Sequence, residues 1–252
     1  MKVAVQIFGH LRTFDRCAPS LKENLLDHYP DHDVFLHTWD RLEAETISPH
    51  ERSCMPSPID DQTVGAIERL YHPRRMTVEH QPPRDLGELT FSNGKRIAIS
   101  GIRYMFASMQ RVDQLRERYS TDTGTRYDVV VMVRPDIALF RRLDLETFLS
   151  YSRPPVLATD ETTRTRYAAF GPPPLIVNDL RGLPGTDLLF FARPEVMTRV
   201  LKLAGDIDQY DLRVEVTPAR ARQLMCTYCA DIGIQTAVID YVRPRDFDIV
   251  RC

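Results

Sequence analysis

The tripeptide Arg134-Pro135-Asp136 directly follows an apolar run of the sequence, YDVVVMV. An arginine can neutralise a departing phosphate, and a carboxylate can bind a divalent cation. The alternative is that Arg134 and Asp136 pair with each other and simply finish a strand. The tripeptide therefore predicts either a phosphate site, in which Asp136 binds a metal ion, or a local ion pair.

Polar residues also follow two earlier apolar segments. Gly9, Arg12 and Thr13 come after KVAVQIF, where a backbone turn and an arginine could hold a diphosphate. Asp40 comes after DVFLHTW, where an acid can accept hydrogen bonds from a base or a ribose. The alternatives are that Arg12 is a surface residue of a loop and that Asp40 caps a helix.

A further acid, Asp187, stands at the start of the apolar run LLFFA. A carboxylate at the start of a strand is a candidate general base, although it can equally cap a turn. The histidines do not cluster as a metal site. His10 and His37 lie nearest to the other candidate residues, and we interpret both as structural hydrogen-bonding residues.

Periodicity predicts the elements that must position these side chains. The predicted strands are Lys2–Phe8, Asp33–Thr38, Met76–Gln81, Tyr127–Val133, Pro154–Asp160, Thr186–Ala192 and Ile234–Tyr241. The predicted helices are Ala18–Tyr29, Asp60–Tyr71, Arg96–Tyr119, Pro194–Tyr210 and Pro218–Gly233. Arg41–Pro58 has no clear period and is predicted to be a loop that could close over a ligand.

The strand–helix–strand order of the first 40 residues is typical of an α/β protein with a mostly parallel central sheet flanked by helices. We expect one domain over residues 1–252, with a ligand-binding half (1–140) and a catalytic half (141–252). In open α/β sheets, ligands bind beyond the carboxyl ends of the strands. The candidate residues after the strands should therefore face one crevice.

Composition and missing motifs exclude several classes of protein. The chain has 252 residues, 33 Lys+Arg against 35 Asp+Glu and a net charge of −2, without the basic excess of a nucleic-acid-binding protein. No apolar run reaches 18 residues, and the short apolar N-terminal segment favours a strand over a signal peptide, so we expect a cytoplasmic protein. The absence of G-x-G-x-x-G, of a P-loop and of G-x-S-x-G argues against NAD enzymes, kinases and α/β hydrolases.

The order FGHLRTF, DVFLHTWD, YDVVVMVRPDIALF and GTDLLFFARPEVM resembles a family of small bacterial glycosyltransferases of polysaccharide clusters, with a GT-A-like (Rossmann-like) fold. The resemblance spans Val3 to about Met197. It implies transfer of a sugar from a nucleotide-activated donor to a glycan or lipid-linked saccharide acceptor in surface polysaccharide synthesis. Association with the inner face of the cytoplasmic membrane would then be peripheral.

The same resemblance implies roles for the candidate residues. Gly9, Arg12, Thr13 and Asp40 match the donor-binding positions, and Asp187 matches the later, catalytic acid. Arg134 and Asp136 stand where such enzymes carry Asp-x-Asp, so a divalent cation, Mn²⁺ or Mg²⁺, is an expected cofactor. Arg134 replaces the first aspartate, and one carboxylate alone binds such a cation weakly.

Two other functions remain compatible with the sequence. One is transfer of another group, such as a phospho or sulfo group, from a nucleotide donor, against which the missing P-loop counts. The other is a nucleotide- or glycan-binding protein of this fold that is not an enzyme, for which the single acid of Arg134-Pro135-Asp136 is the argument. The two differ in whether a bound nucleotide sugar is broken down.

Overall fold

The protein is described from a computed structural model, which covers residues 1–45, 55–90, 94, 96–150, 175–179, 184–210, 220–234 and 236–251. Two of the predicted features fall outside this range. They are the strand at Pro154–Asp160 and positions 46–54 of the predicted loop.

Strands and helices alternate along most of the described chain. The strands are β1 (Val3–Phe8), β2 (His32–Trp39), β3 (Arg75–Glu79), β4 (Glu88–Thr90), β5 (Arg96–Ala98), β6 (Val129–Val133), β7 (Ile137–Leu139), β8 (Leu175–Asp179), β9 (Pro184–Ala192), β10 (Thr236–Val242) and β11 (Phe247–Ile249). The α-helices are α1 (Phe14–Asn24), α2 (Asp61–Tyr71), α3 (Ile99–Thr123), α4 (Leu145–Ser150), α5 (Pro194–Leu201), α6 (Leu203–Asp206) and α7 (Arg220–Asp231).

The described strands form one large sheet and two short hairpins. The large sheet has the order β10-β8-β9-β6-β1-β2-β3, and the hairpins pair β11 with β7 and β4 with β5. Within the large sheet only β9 runs antiparallel to its neighbours, β6 and β8. The predicted mostly parallel α/β sheet is therefore confirmed.

Alternation along the central strands gives the sheet two apolar faces. In β1, Val3, Val5 and Ile7 belong to the apolar cluster that includes side chains of α1 and α2. Ala4 and Phe8 belong to the cluster on the opposite side, with side chains of α3, α5 and α7. Successive side chains of a strand point to opposite faces, so helices cover the sheet on both sides.

Every residue of β6 is buried, as the continuous apolar run predicts. Its neighbours are β1, in parallel, and β9, in antiparallel orientation. Ile7 of β1 pairs with Val133 of β6 and also with Leu36 of β2. The loops that follow β1, β2 and β6 therefore leave the sheet at the same edge, which we call the carboxyl edge.

Several element boundaries differ from the predicted ones. The first helix begins at Phe14 rather than Ala18, because Phe14 and Cys17 already belong to its buried face. The long helix begins at Ile99, since Arg96–Ala98 pairs with β4 instead. The helix predicted over Pro194–Tyr210 is divided into α5, α6 and a 3-10 turn. In the described part of the chain, no helix is both long and apolar enough to cross a membrane.

Candidate functional site

Two loops of the carboxyl edge meet at the carboxylate of Asp136. Arg12, in the loop after β1, donates from Nη1 to Oδ2 of Asp136 at 3.1 Å. Arg134 directly follows β6; it donates from Nε to Oδ1 at 2.9 Å and from Nη2 to Oδ2. The ion pair between Arg134 and Asp136, which was one of the two alternatives from the sequence, is therefore present. Arg12 of the first loop joins it.

Asp136 is fully buried beneath these guanidinium groups. Burial alone would raise the pKa of this carboxyl group, but the charges of Arg134 and Arg12 outweigh it and lower the pKa to about 2. The carboxylate is therefore ionised throughout the neutral range. It acts as the common acceptor that fixes both arginine side chains.

Arg12 is held in place from a second direction by the segment that follows β2. Its backbone N–H donates to the carbonyl of Leu42 at 2.9 Å. Its Nε donates to the Glu43 carboxylate, with distances of 2.8 and 2.9 Å to the two oxygens. The backbone φ of Arg12 is +47°, in the left-handed region that residues other than glycine rarely adopt. These contacts stabilise an unfavourable backbone conformation, a feature that is frequent at binding sites.

A third arginine reaches the same carboxylate from the C-terminal strand. Nη1 of Arg251 lies 3.6 Å from Oδ2 of Asp136, in an ion pair. Burial, and then the repulsion from Arg134, lowers the pKa of Arg251 to about 10. Among the described residues, the group thus brings together three guanidinium groups, those of Arg12, Arg134 and Arg251, and two carboxylates, those of Asp136 and Glu43.

His10 is a buried neighbour of this group. Its Nδ1 lies 2.9 Å from the carbonyl of Arg41, which can only accept, so Nδ1 carries the proton and Nε2 is left as an acceptor. Burial, together with the charge of Arg12, lowers the pKa of His10 to about 4. The imidazole is therefore neutral at physiological pH, and its structural role agrees with the interpretation from sequence.

Gly9 and Thr13 connect the first loop to other parts of the protein through hydrogen bonds. Gly9 has a φ of +94°, and its N–H donates to Oγ of Ser108 in α3 at 2.8 Å. Thr13 is buried, and its hydroxyl donates to the carbonyl of Val250 at 2.8 Å. The Thr13 hydroxyl proton is thus used to hold the C-terminal segment. Thr13 thus positions the C-terminal segment, and its contact with the donor stays a prediction.

Asp40 lies at the same edge but apart from the arginine group. Its carboxylate contacts Nδ1 of His80 at 2.6 Å and accepts from the N–H of Gln81 at 3.2 Å. These contacts place it beside β3, and they do not include the helix cap that was the alternative. Its side chain remains 35% exposed, so it is accessible to a ligand that extends across the edge.

The backbone of Asp187 lies in β9, next to the end of β6. The carbonyl of Leu188, the following residue, accepts a hydrogen bond from the N–H of Arg134 at 3.0 Å. The side chain of Asp187 lies outside the described part of the structure. Its role as a general base therefore stays a prediction.

The expected divalent cation does not fit the surroundings of Asp136. Both oxygens of this carboxylate accept hydrogen bonds from guanidinium groups, and a third guanidinium lies close by. A cation placed there would displace these bonds and lie against three positive charges. Across the described residues, no group of three or more His, Cys, Asp or Glu side chains could hold a metal ion.

Sequence reasoning missed Glu43 and Arg251 as members of the site. Glu43 lies within Arg41–Pro58, the segment without a clear period. Arg251 follows a three-residue strand, β11, whose partner β7 lies far away in the sequence. Neither carries a local signal. A search for acids able to pair with Arg12 would have included Glu43 without singling it out.

Comparison with known proteins finds a distant likeness among solved structures. No family model matches the chain, and no curated protein sequence matches it. A solved structure described as a glycosyltransferase involved in the glycosylation of the major capsid of PBCV-1 is similar, with a TM-score of 0.40 and 8% identity. The alignment covers 96% of this chain and 83% of that one. A likeness at this level assigns no residue roles.

Proposed function

We propose that this protein is a glycosyltransferase that moves a sugar from a nucleotide-activated donor to a glycan or a lipid-linked saccharide in surface polysaccharide synthesis. The observation that carries the proposal is the meeting of Arg12 and Arg134 at Asp136, on the carboxyl edge of a mostly parallel sheet. This edge is where open α/β sheets bind their ligands. The order of motifs along the sequence supports the same class of reaction.

Transfer of a sugar requires that the departing nucleotide be stabilised as negative charge develops on its phosphates. Guanidinium groups held in fixed positions provide that stabilisation without reorganising during the reaction. Arg12 and Arg134 are fixed in this way, because each is bonded to a buried, ionised carboxylate. We assign the phosphates of the donor to these two arginines.

The other candidate residues take the remaining roles. Asp40 is accessible at the same edge and would accept hydrogen bonds from the nucleoside of the donor. Asp187 would remove the proton of the attacking acceptor hydroxyl as general base. A lipid-linked acceptor would bring the protein to the inner face of the cytoplasmic membrane.

A thermal-shift screen against UDP, GDP, CDP, CMP and dTDP tests the donor assignment. A nucleotide at 100 times its dissociation constant adds about 2.7 kcal/mol to the free energy of unfolding. We expect one nucleotide to raise the melting temperature by a few degrees, and Arg134→Gln to reduce that shift. If no nucleotide raises the melting temperature, the donor site is not where we place it.

The competing function, a nucleotide-binding protein without catalysis, gives a different pair of results. It predicts the same thermal shift with a nucleotide, but no release of the nucleotide from its sugar in the presence of any acceptor. The proposed glycosyltransferase requires both the thermal shift and the release.

A further inference from the structure

We infer that Arg251, in the segment that follows β11, completes with Arg12 and Arg134 a site that binds a diphosphate without a divalent cation. Asp136 is then the anchor of the arginines and not a metal ligand. The inference rests on the proposed function only for the natural ligand, the diphosphate of a nucleotide sugar. The binding itself depends on the residues of this site alone.

The C-terminal segment is fixed to both loops of the site. β11 pairs antiparallel with β7, and Ile249 lies opposite Ile137, the residue after Asp136. The next residue, Val250, donates its N–H to the carbonyl of Asp136 at 2.9 Å and accepts the hydroxyl of Thr13 at 2.8 Å. Backbone contacts therefore hold Arg251 at the point where the two loops meet.

A further contact fixes Arg251 itself. Nη1 of Arg16, in the first turn of α1, donates to the carbonyl of Arg251 at 2.9 Å. The backbone on both sides of the Arg251 side chain is thus tied to the loop after β1 or to the helix that follows it. These contacts hold the backbone of Arg251 in place, and the ion pair with Asp136 orients its side chain.

The charges and the burial of the group favour an anion. Asp136 is fully buried, whereas the side chains of Arg12, Arg134 and Arg251 remain 17%, 13% and 29% exposed. The carboxylate is thus closed off from solvent, whereas the side chains of the three arginines are each partly exposed. The lowered pKa of Arg251 reflects burial and a repulsion from Arg134, and a bound anion would relieve that repulsion.

The donors that remain on these arginines suit phosphate oxygens. A guanidinium group has five N–H donors in a planar fork, and Arg134 donates to Asp136 only from Nε and Nη2. Among the described residues, none accepts a hydrogen bond from its Nη1. A diphosphate carries several oxygens spread over two phosphoryl groups, so it can accept from more than one fork at once.

A divalent cation would not add to this site. Mg²⁺ requires several oxygen ligands in a nearly ideal octahedron, and at this point the described residues offer the carboxylates of Asp136 and Glu43, which are already bonded to arginines. The three guanidinium groups supply the positive charge that the cation would otherwise bring. Binding of the diphosphate should therefore be independent of metal ions.

Titration calorimetry with inorganic pyrophosphate tests the inference on the intact protein. The buffer is freed of metal ions with a chelating resin, and the titration is repeated with Mn²⁺. We expect pyrophosphate to bind in the metal-free buffer, with an affinity that Mn²⁺ changes by less than about threefold. Binding that occurs only with Mn²⁺ would overturn the inference.

The variant Arg251→Gln tests the contribution of the C-terminal strand. The variant removes a charge-assisted hydrogen-bond donor, so we expect the affinity for pyrophosphate to fall roughly tenfold or more. Arg75→Gln, which changes an exposed arginine at the amino end of β3, is the matched control and should bind like the wild type. An unchanged affinity of Arg251→Gln would show that this residue is not part of the site.

A second variant tests the same residue if Arg251→Gln does not fold. Arg251→Lys keeps the charge but loses the planar fork, and it too should bind pyrophosphate more weakly than the wild type.

Metal-free pyrophosphate binding without release of any nucleotide from its sugar would refute the proposed function and support the inference. Sugar transfer that requires Mn²⁺ would support the proposed function and overturn the inference.

Discussion

Nη1 of Arg12 lies 3.1 Å from Oδ2 of Asp136, although 124 positions separate the two residues in the sequence. The contact joins the loop after β1 to the loop after β6, and these two strands are parallel neighbours in the sheet. Asp136 can be buried as an anion because arginines surround it, and its carboxylate in turn holds Arg12 and Arg134 in place. The two loops are therefore joined through this carboxylate.

Removal of the Asp136 charge should strongly destabilise the protein. Asp136→Asn keeps the size of the side chain but removes the buried negative charge that pairs with three guanidinium groups. Breaking a buried ion pair in this way costs about 3 to 5 kcal/mol. Urea unfolding at pH 7 measures the loss.

The matched control for this prediction is Asp40→Asn. Asp40 also contacts a basic side chain, His80, but it is 35% exposed, and exposed pairs contribute about 1 kcal/mol or less. Equal losses in the two variants would contradict the role of Asp136 as the buried anchor of the arginines.

His10 should make the stability of the protein depend on pH between 6.5 and 4. Its pKa is about 4 in the folded protein and 6.5 ordinarily, so protonation favours the unfolded chain. The stability due to neutral His10 is complete above pH 6.5 and is lost as the pH falls toward 4. By linkage, this group accounts for a loss of about 2 kcal/mol between pH 7.5 and pH 5.

Urea unfolding of the wild type and of His10→Asn at these two pH values measures this contribution. Asparagine keeps a donor for the carbonyl of Arg41 but does not titrate. The variant should therefore lose about 2 kcal/mol less than the wild type over this interval. Equal pH dependence in the two proteins would show that His10 is not the titrating group.

Gly9→Ala should destabilise the protein through the backbone alone. The φ of Gly9 is +94°, and a Cβ added there would meet no atom within 4 Å, so the cost is conformational and not steric crowding by neighbours. We expect a loss of about 1 to 2 kcal/mol. A Cβ added at Gly205, in α6, would also meet no atom within 4 Å, and the φ of Gly205 is not positive. Gly205→Ala should therefore raise the free energy of unfolding by about 0.5 to 1 kcal/mol. Thermal denaturation of both variants checks the opposite signs.

Asp187→Asn should slow the chemical step while leaving the donor bound. Removal of a general base lowers kcat by roughly 100-fold or more. Dissociation constants for the nucleotide should stay within about twofold, because the arginines that bind the phosphates are unchanged. Asp128→Asn, at the opposite end of β6, is the control and should keep full activity. Full transfer activity in Asp187→Asn would show that the base is another residue.

The first part of the sheet could be predicted from the sequence because its signals are local. Val3–Phe8 and His32–Trp39 carry the apolar residues that a buried strand requires, and the run before Arg134 indicates a strand covered on both faces. The parallel order then places Arg12 and Arg134 at one edge. This much of the site follows from strand order alone.

The contribution of the C-terminal strand could not be predicted in the same way. Phe247–Ile249 is only three residues long and has an aspartate at its centre, so it shows no period. Its partner, Ile137–Leu139, lies more than 100 positions earlier, and the pairing is decided by tertiary packing. Likewise, nothing in the sequence distinguishes an Asp136 that binds a cation from one that binds three arginines.

The central claim is that the arginine group binds the phosphates of a nucleotide sugar whose sugar is then transferred. The most direct measurement is the release of nucleotide from UDP-, GDP-, dTDP- and CMP-linked sugars, with a panel of saccharide acceptors, by the wild type and by Arg134→Gln. The account predicts release from one class of donor by the wild type, and a loss of roughly 100-fold or more in Arg134→Gln. Release that is equally fast in both proteins, or absent with every donor that binds, would contradict it.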